Sequence, residues 1–172
     1  MVREKGTNRS AFLRGEVDKY TWVDLGSNYL SSELQAACLA AQLRAREAIQ
    51  AKRAAIWRRY QTALQDWSTA NHVRLPVVPA ECDHPSHLFY LLLPNESSRT
   101  RLIEHLKAHG ILAVFHYVPL HVSPMGRKFG GNPGDCPVAE DIAGRLLRLP
   151  LFTDLSPDDQ STVIDTIRCF TV

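Results

Sequence analysis

Apolar residues recur every three or four positions along a stretch that contains no glycine or proline between residues 27 and 75. This spacing places them on one face of a helix. At its start, Ser32 and Gln35 can form a capping box, in which each side chain accepts a hydrogen bond from the other residue's backbone N–H. One straight helix of this length would be too long for a compact domain, so the pattern predicts a bend or break and a core-facing stripe. The stripe positions are Leu34, Cys38, Ala41, Ala45, Ile49, Ile56, Tyr60, Ala63 and Trp67.

Beyond Pro76 the pattern changes to short apolar runs that alternate with helical stretches and with a loop rich in glycine and proline. Short, nearly continuous apolar runs are typical of buried strands, and the alternation favours a small α/β layer. The predicted strands are residues 87–93 and 111–115, with a short extended piece over 149–152. The predicted helices are residues 99–109 (capped by Ser97 or Ser98 and ended by Gly110), 137–148, and a last helix from Ser156 and Pro157.

The composition is that of an ordinary globular domain. Of the 172 residues, 45% are hydrophobic and 22% are charged, which excludes disordered and collagen-like chains. Twenty basic side chains stand against eighteen acidic ones, a balance too even to indicate nucleic-acid binding. Residues 1–60 nevertheless carry eleven basic and six acidic side chains, which fits either a surface that faces an anion or a solvated helix face. Because the sequence has neither a membrane-length apolar run nor a signal-peptide core, we expect a soluble, cytoplasmic protein.

Two groups of histidines are candidates for chemistry. Cys82, His84 and His87 are close in sequence, but their spacing matches no zinc motif, so we predict no metal site. Residues 116–121 (HYVPLH) directly follow a predicted strand, where α/β proteins place their sites. Their imidazoles and phenol either bind a ligand and move protons or form a polar loop with one structural histidine. The glycine-rich loop 126–134 lacks the Lys-Ser/Thr of a phosphate-binding loop, and nothing in the sequence forms a complete catalytic set.

Several stretches resemble the DegT-type, pyridoxal phosphate (PLP)-dependent nucleotide-sugar aminotransferases of fold type I. The most specific likenesses are the KGTNR…DKYTW stretch within residues 5–22 and the FHY-x-PLH motif within residues 115–121. The likeness is strongest to members that aminate dTDP-4-keto-6-deoxyglucose with glutamate for cell-surface polysaccharide synthesis. The stretches that carry the resemblance are residues 3–10, 18–26, 29–30, 33–37, 114–121 and 148–152.

The resemblance implies an α/β fold, namely the C-terminal part of a fold type I PLP-dependent transferase with a long linking helix and a small α/β domain. Residues 1–30 would be the tail of the large-domain and active-site segment, and residues 31–172 the long helix and the small domain. Family members are much longer, and their Schiff-base lysine lies upstream in a Thr-Lys-Asn context that none of the five lysines here matches. The resemblance therefore implies a fragment that supplies no catalytic residue and is inactive alone.

The resemblance assigns site roles to only a few positions. Asn28 matches an asparagine that reaches the cofactor phosphate of the neighbouring subunit, whereas Leu30 stands where the family has an arginine. Tyr117 matches a substrate-side position and ranks ahead of His121 and His116 as a substrate-binding candidate. Because alternate residues of an extended segment point to opposite sides, we expect His116 to face away from Tyr117. The basic residues that would border the nucleotide-sugar diphosphate are Arg9, Arg14 and Lys19.

Two main functions are compatible with the sequence. The first is the C-terminal portion of a PLP-dependent aminotransferase that transfers an amino group from glutamate to a dTDP-4-keto-6-deoxy sugar. Such an enzyme would act as a homodimer when full-length, or this chain would pair with a separately encoded N-terminal half. The alternative is a non-catalytic or degenerate fragment that binds a partner chain or a nucleotide sugar without catalysis. A free-standing anion-binding α/β module is a third, weaker hypothesis.

Overall fold

The computed structural model describes residues 5–19 and 21–172. The chain divides into two compact units, the first running to Arg46 and the second from Glu47 to Val172. The boundary expected between residues 30 and 31 refers to the domains of a full-length enzyme and stays a prediction. No helix in the described part of the chain is both long and apolar enough to cross a membrane.

The described residues of the first unit form the helices α1 (Arg9–Leu13) and α2 (Glu33–Arg44). The predicted capping box at the start of α2 is confirmed. The backbone N–H of Gln35 donates to Ser32 Oγ over 3.3 Å, and the backbone N–H of Ser32 donates to Gln35 Oε1 over 3.1 Å. These two bonds satisfy backbone donors that the first helical turn leaves free.

The long helical segment is broken twice, as predicted. After α2 it continues as α3 (Arg46–Ala63) and α4 (Gln65–Ala70), with Ala45 and Leu64 between the helices. Only the later part of its apolar stripe is buried. The buried stripe residues are Ile56, Tyr60 and Trp67, and Leu64, next to the stripe, is buried with them.

The second unit contains a three-stranded sheet in the order β1-β3-β2. The strands are β1 (Phe89–Leu92), β2 (Val114–Phe115) and β3 (Leu146–Leu149). The central strand β3 runs antiparallel to both neighbours, with Leu149 opposite Phe89 and Arg148 opposite Val114. The two outer strands therefore run parallel to each other, and the connection between them passes through a helix.

The prediction that residues 146–148 end a helix is wrong. They begin the central strand, because Leu147 and Leu149 are buried against β1 while Leu146 and Arg148 are only partly buried. This alternation has the period of a strand. Pairing on both sides of β3 overrides the local helical pattern, and the extended piece therefore starts earlier than residue 149. The strand predicted over 111–115 is also shorter, because only β2 pairs.

Four more helices and a 3-10 turn complete the second unit. The helix after β1 begins earlier than predicted, because Asn95 Oδ1, rather than a serine, accepts the backbone N–H of Ser98 over 2.8 Å. It ends near Gly110, whose φ of 73° is favourable for glycine. The last helix is capped by Ser156, as predicted. These elements are α5 (Glu96–Ala108), the turn Leu120–Val122, α6 (Pro124–Lys128), α7 (Pro137–Arg145) and α8 (Pro157–Arg168).

The core of the second unit lies where α3, α4, α5 and α8 pack against the sheet. The ring of Tyr60 is fully buried with its centroid 5.3 Å from that of Phe89, and its hydroxyl donates to the carbonyl of Pro150 over 2.9 Å. Burial raises the pKa of Tyr60 well above its ordinary value. Gln160, the most buried polar residue, donates from Nε2 to the carbonyl of Ile56 over 2.8 Å. These two buried polar groups are therefore paired as burial requires, whereas Trp57 Nε1 and Gln61 Oε1 on α3 are buried without a hydrogen-bond partner among the described residues.

Candidate active-site cleft

A cleft of about 410 Å³ opens where β2 ends, between the loop that follows it, the start of α5 and the middle of α7. The loop forms one wall because β2 pairs only as far as Phe115. Helices α5 and α7 form the opposite walls. The residues that matter for its chemistry are Glu96, Arg99, His116, Tyr117 and Glu140. The predicted site after this strand is therefore a real concavity.

His116 and Tyr117 line the same cleft, which corrects the expectation that they face opposite sides. Their ring centroids are 5.4 Å apart in an edge-to-face contact. Alternation does not apply here, because the strand ends at Phe115 and the following loop is not an extended strand. Tyr117 is 76% exposed. The Nδ1 atom of His116 is buried and has no hydrogen-bond partner among the described residues. The loop thus presents a free phenol beside a partly buried imidazole.

Arg99 lines the cleft, although nothing in the sequence had predicted it as a site residue. Its Nε donates to the carbonyl of Gly144 over 3.0 Å, and its Nη2 donates to Glu96 Oε1 over 3.0 Å. The guanidinium carbon lies 5.8 Å from the centre of the Phe115 ring, within cation–π distance. With a side chain only 13% exposed, Arg99 ties α5, α7 and the end of β2 together. The Glu96–Arg99 spacing of three residues at a helix start was the available local signal.

His121 is held at the back of the loop by Glu140. Its Nε2 lies 2.7 Å from Glu140 Oε1, and the backbone N–H of Gly134 donates to the same oxygen over 2.8 Å. These bonds, led by the one from His121, hold the pKa of Glu140 below its ordinary value. Glu140 lines the cleft, whereas His121 does not. Glu140 also escaped the sequence argument, since its partners are distant in sequence.

The glycine-rich loop packs backbone against backbone on the turn that carries His121. A Cβ atom added to Gly131 would lie 2.4 Å from the carbonyl oxygen of His121, and one added to Gly126 still closer to that of Leu120. Side chains at these two positions would collide with backbone atoms that cannot move away independently. The loop's glycines are therefore explained by close packing against the cleft loop.

The remaining predicted site residues lie in the first unit. Arg9, Lys19 and Asn28 have exposed side chains. Arg14 forms an ion pair with Glu16, with Nε 2.6 Å from Oε1. These four side chains are thus exposed to solvent, and their predicted roles stay predictions.

Comparison with known proteins identifies the family. The model of the DegT/DnrJ/EryC1/StrS aminotransferase family matches residues 1–168. The erythromycin biosynthesis sensory transduction protein EryC1 of Saccharopolyspora erythraea is 36% identical over 155 residues, which is 90% of this chain and 41% of that protein. The dTDP-3-amino-3,4,6-trideoxy-alpha-D-glucose transaminase of Streptomyces venezuelae is 32% identical over 90% of this chain and 39% of its own length.

A solved structure gives the same result in three dimensions. That of S. venezuelae DesV, in complex with a ketimine intermediate, superimposes with a TM-score of 0.84 and 30% identity, covering 98% of this chain and 42% of DesV. The chain thus spans about two-fifths of the length of these relatives. With a family match over nearly all of its residues, the chain belongs to the DegT/DnrJ/EryC1/StrS aminotransferase family, of whose members it represents a C-terminal part.

Proposed function

We propose that this chain is the C-terminal part of a PLP-dependent sugar aminotransferase that moves an amino group from glutamate to a dTDP-4-keto-6-deoxy sugar. The observation that carries the proposal is the cleft at the end of β2, where Tyr117 and His116 stand free beside Arg99 in a chain that matches the family over residues 1–168. A relative that is named as a dTDP-amino-sugar transaminase supports the nucleotide-sugar class. The C4 position rests on the KGTNR and FHY-x-PLH likenesses. A homodimer and a cytoplasmic location are part of the same proposal.

The cleft residues suit a sugar. The exposed ring of Tyr117 can pack on a sugar face while its hydroxyl bonds a ring or phosphate oxygen. His116 stands beside it as a second polar group. His121 would support sugar binding indirectly, by holding the loop in place, because its Nε2 already bonds to Glu140. Arg99 is largely neutralised by Glu96, so the cleft favours sugar hydroxyls over the diphosphate.

We propose that, in a full-length enzyme, basic residues of the first unit border the diphosphate. Arg9, Arg14 and Lys19 lie in the part of the sequence that has an excess of basic side chains. Asn28, whose side chain is exposed, is proposed to donate from its amide to the cofactor phosphate. A hydrogen bond to a charged group contributes about 1.5–3 kcal/mol. These roles rest on the family resemblance of the residues.

This chain alone does not fit the cofactor. Enzymes of this family depend on PLP, which, when bound, would accept the amino group of the donor and pass it to the keto sugar. All five lysines of the chain are exposed, and Lys52 pairs with Asp154 over 3.4 Å. Without an enclosed lysine, the chain offers only Asn28 toward the cofactor. We therefore assign this chain sugar binding and positioning, and no covalent step.

A chimera tests the proposal. Residues 1–172 replace the matching segment of S. venezuelae DesV, and the product is supplied with PLP, glutamate and dTDP-4-keto-6-deoxyglucose. Mass spectrometry should detect the 4-amino sugar and 2-oxoglutarate. Tyr117→Phe should raise KM for the nucleotide sugar several-fold, as expected for loss of one neutral hydrogen bond. The PLP absorbance should not change. Tyr90→Phe, on β1 and outside the cleft, serves as the matched control.

Two results would contradict the proposal. A chimera that binds PLP and the nucleotide sugar but makes no amino sugar would favour the non-catalytic alternative, for which Leu30 in place of the family's arginine is the supporting observation. Unchanged kinetics in Tyr117→Phe with a lowered melting temperature would identify Tyr117 as a packed loop residue. The unmodified chain mixed with PLP should show no stoichiometric absorbance band above about 400 nm that depends on one lysine.

A further inference from the structure

One carboxylate oxygen joins three segments around the cleft. Glu140 Oε1, on α7, lies 2.7 Å from His121 Nε2 on the 3-10 turn and 2.8 Å from the backbone nitrogen of Gly134 in the glycine-rich loop. The side chains of His121 and Glu140 are 16% and 28% exposed. The two side chains are therefore partly shielded from water, so their bond is not that of an open surface pair, whereas Gly134 is exposed.

The geometry fixes which ring nitrogen of His121 carries a hydrogen. An ionised carboxylate only accepts hydrogen bonds, so the hydrogen must be on Nε2. In the neutral ring, Nδ1 is then left as an acceptor. Glu140 thus determines the orientation of the imidazole and leaves Nδ1 as a hydrogen-bond acceptor. In other proteins, carboxylates fix functional histidines in the same way.

The bond to Gly134 extends this control to the loop. Close backbone packing of Gly131 on His121 leaves little room for the turn and the loop to move separately. Tyr117 lies four residues before His121, across the single proline of this segment, Pro119. This short connection is the route by which a shift of His121 would reach the wall of the cleft that carries Tyr117.

We propose that Glu140 is a positioning residue for the cleft: it clamps His121 and Gly134 together and so holds Tyr117 and His116 at the cleft wall. This role deepens the proposed function and rests on it only for the identity of the ligand. Glu140 touches no reacting group in this scheme. Its effect passes through His121 and the glycine-rich loop.

The test uses the whole 172-residue chain and three variants. Glu140→Ala removes both bonds, and Glu140→Gln keeps an oxygen acceptor but removes the charge. Asp141→Asn is the matched control, because Asp141 is the next residue on α7 and pairs with Arg145 away from His121 and Gly134. Nitrogen-15 NMR of the His121 ring, hydrogen exchange of the Gly134 amide and the Tyr117 ring shifts are measured for each.

In Glu140→Ala we expect His121 to lose its Nε2–H preference, the Gly134 amide to exchange at least tenfold faster, and the Tyr117 ring signals to shift. Glu140→Gln should change the His121 ring shifts and give intermediate exchange, which keeps the test decisive if the alanine variant does not fold. Parent-like His121 and Gly134 signals in either variant would overturn the clamp. So would equal changes in Asp141→Asn, because they would indicate general loosening of α7.

A titration with dTDP-4-keto-6-deoxyglucose links the clamp to the ligand. The affinity should fall several-fold in Glu140→Ala and stay at the parent value in Asp141→Asn. Equal affinity of parent and Glu140→Ala would overturn the link to the cleft. If the parent itself does not bind this nucleotide sugar, the failure falls on the ligand assignment, and the NMR signals decide the clamp independently.

Discussion

Two parts of one helical segment share the same apolar repeat and differ completely in burial. In α2 no residue is buried: Leu34, on the stripe, is 81% exposed, and Leu39 and Leu43, which lie outside the stripe, are 57% and 56% exposed. Further along, Tyr60 and Leu64 are fully buried. The later part packs on the sheet and α8, whereas the described chain contains no surface that covers the leucines of α2.

The difference shows that periodicity identifies an apolar face but not what covers it. Cys38 lies on the predicted stripe, yet it is exposed, so its expected place in the core is wrong for this chain. Tyr60 has the same periodicity and a real partner in Phe89. Since the chain spans about two-fifths of the length of its relatives, we predict that the large domain of a full-length enzyme covers α2.

The largest effect should appear when a leucine is truncated in the buried part and the same truncation is made in the exposed part for comparison. Leu64→Ala leaves a cavity in a closely packed core and should lower the free energy of unfolding by about 2–5 kcal/mol. Leu39→Ala removes an exposed side chain and should change it by less than about 0.5 kcal/mol. Urea unfolding followed by circular dichroism measures both. Similar losses in the two variants would contradict the contrast in burial.

A smaller effect is expected at the cap of α2. Ser32→Ala removes one half of the capping box and should cost about 0.5–2 kcal/mol of helix stability. Without tertiary packing that holds the helix, the loss should appear as faster amide exchange along α2. Ser32→Asn is the control, because asparagine caps equally well. Unchanged exchange in Ser32→Ala would show that other contacts hold the helix start.

The sequence predicted correctly those elements whose structure is determined by residues close together in the chain. The capping box at Ser32, the cap at Ser156 and strand β1 all depend on neighbouring residues and are found in the structure. The strand β3 was misread because its state depends on pairing with β1 and β2, which are remote in sequence. Pairing with a strand on each side outweighs the preference of these residues for a helix, which the local pattern had suggested.

The candidate site divides in the same way. Tyr117 and His116 were found because they follow a strand and match a family motif. Arg99 and Glu140 were missed because their roles lie in bonds to Gly144, 45 residues away, and to His121, 19 residues away. Nothing in the spacing around either residue indicates these partners. Close tertiary contacts decide which polar residues reach the cleft.

A smaller loss of stability is expected when a single hydrogen bond is removed from the buried part of the helical segment. Tyr60→Phe keeps the ring in the core but leaves the carbonyl of Pro150 without its 2.9 Å hydrogen bond. Loss of one such bond should lower the free energy of unfolding by about 0.5–1.5 kcal/mol. Thermal unfolding of Tyr90→Phe, whose ring is only partly buried on β1, gives the control. A parent-like stability for Tyr60→Phe would mean that water replaces the hydroxyl.

The smallest effect on stability is expected in the exposed helix α2, where a substitution should instead change self-association. Leu39→Glu places a charge at an uncovered leucine of α2 and should change the free energy of unfolding by less than about 0.5 kcal/mol. Because an exposed apolar face promotes association, the parent chain should self-associate at high concentration and the variant should do so less. Light scattering across a concentration series measures this. Val77→Glu, at a site 85% exposed in the second unit, adds the same charge elsewhere. If Val77→Glu reduces association as much as Leu39→Glu, net charge rather than the face of α2 controls it, and a parent that stays monomeric at high concentration would contradict the prediction outright.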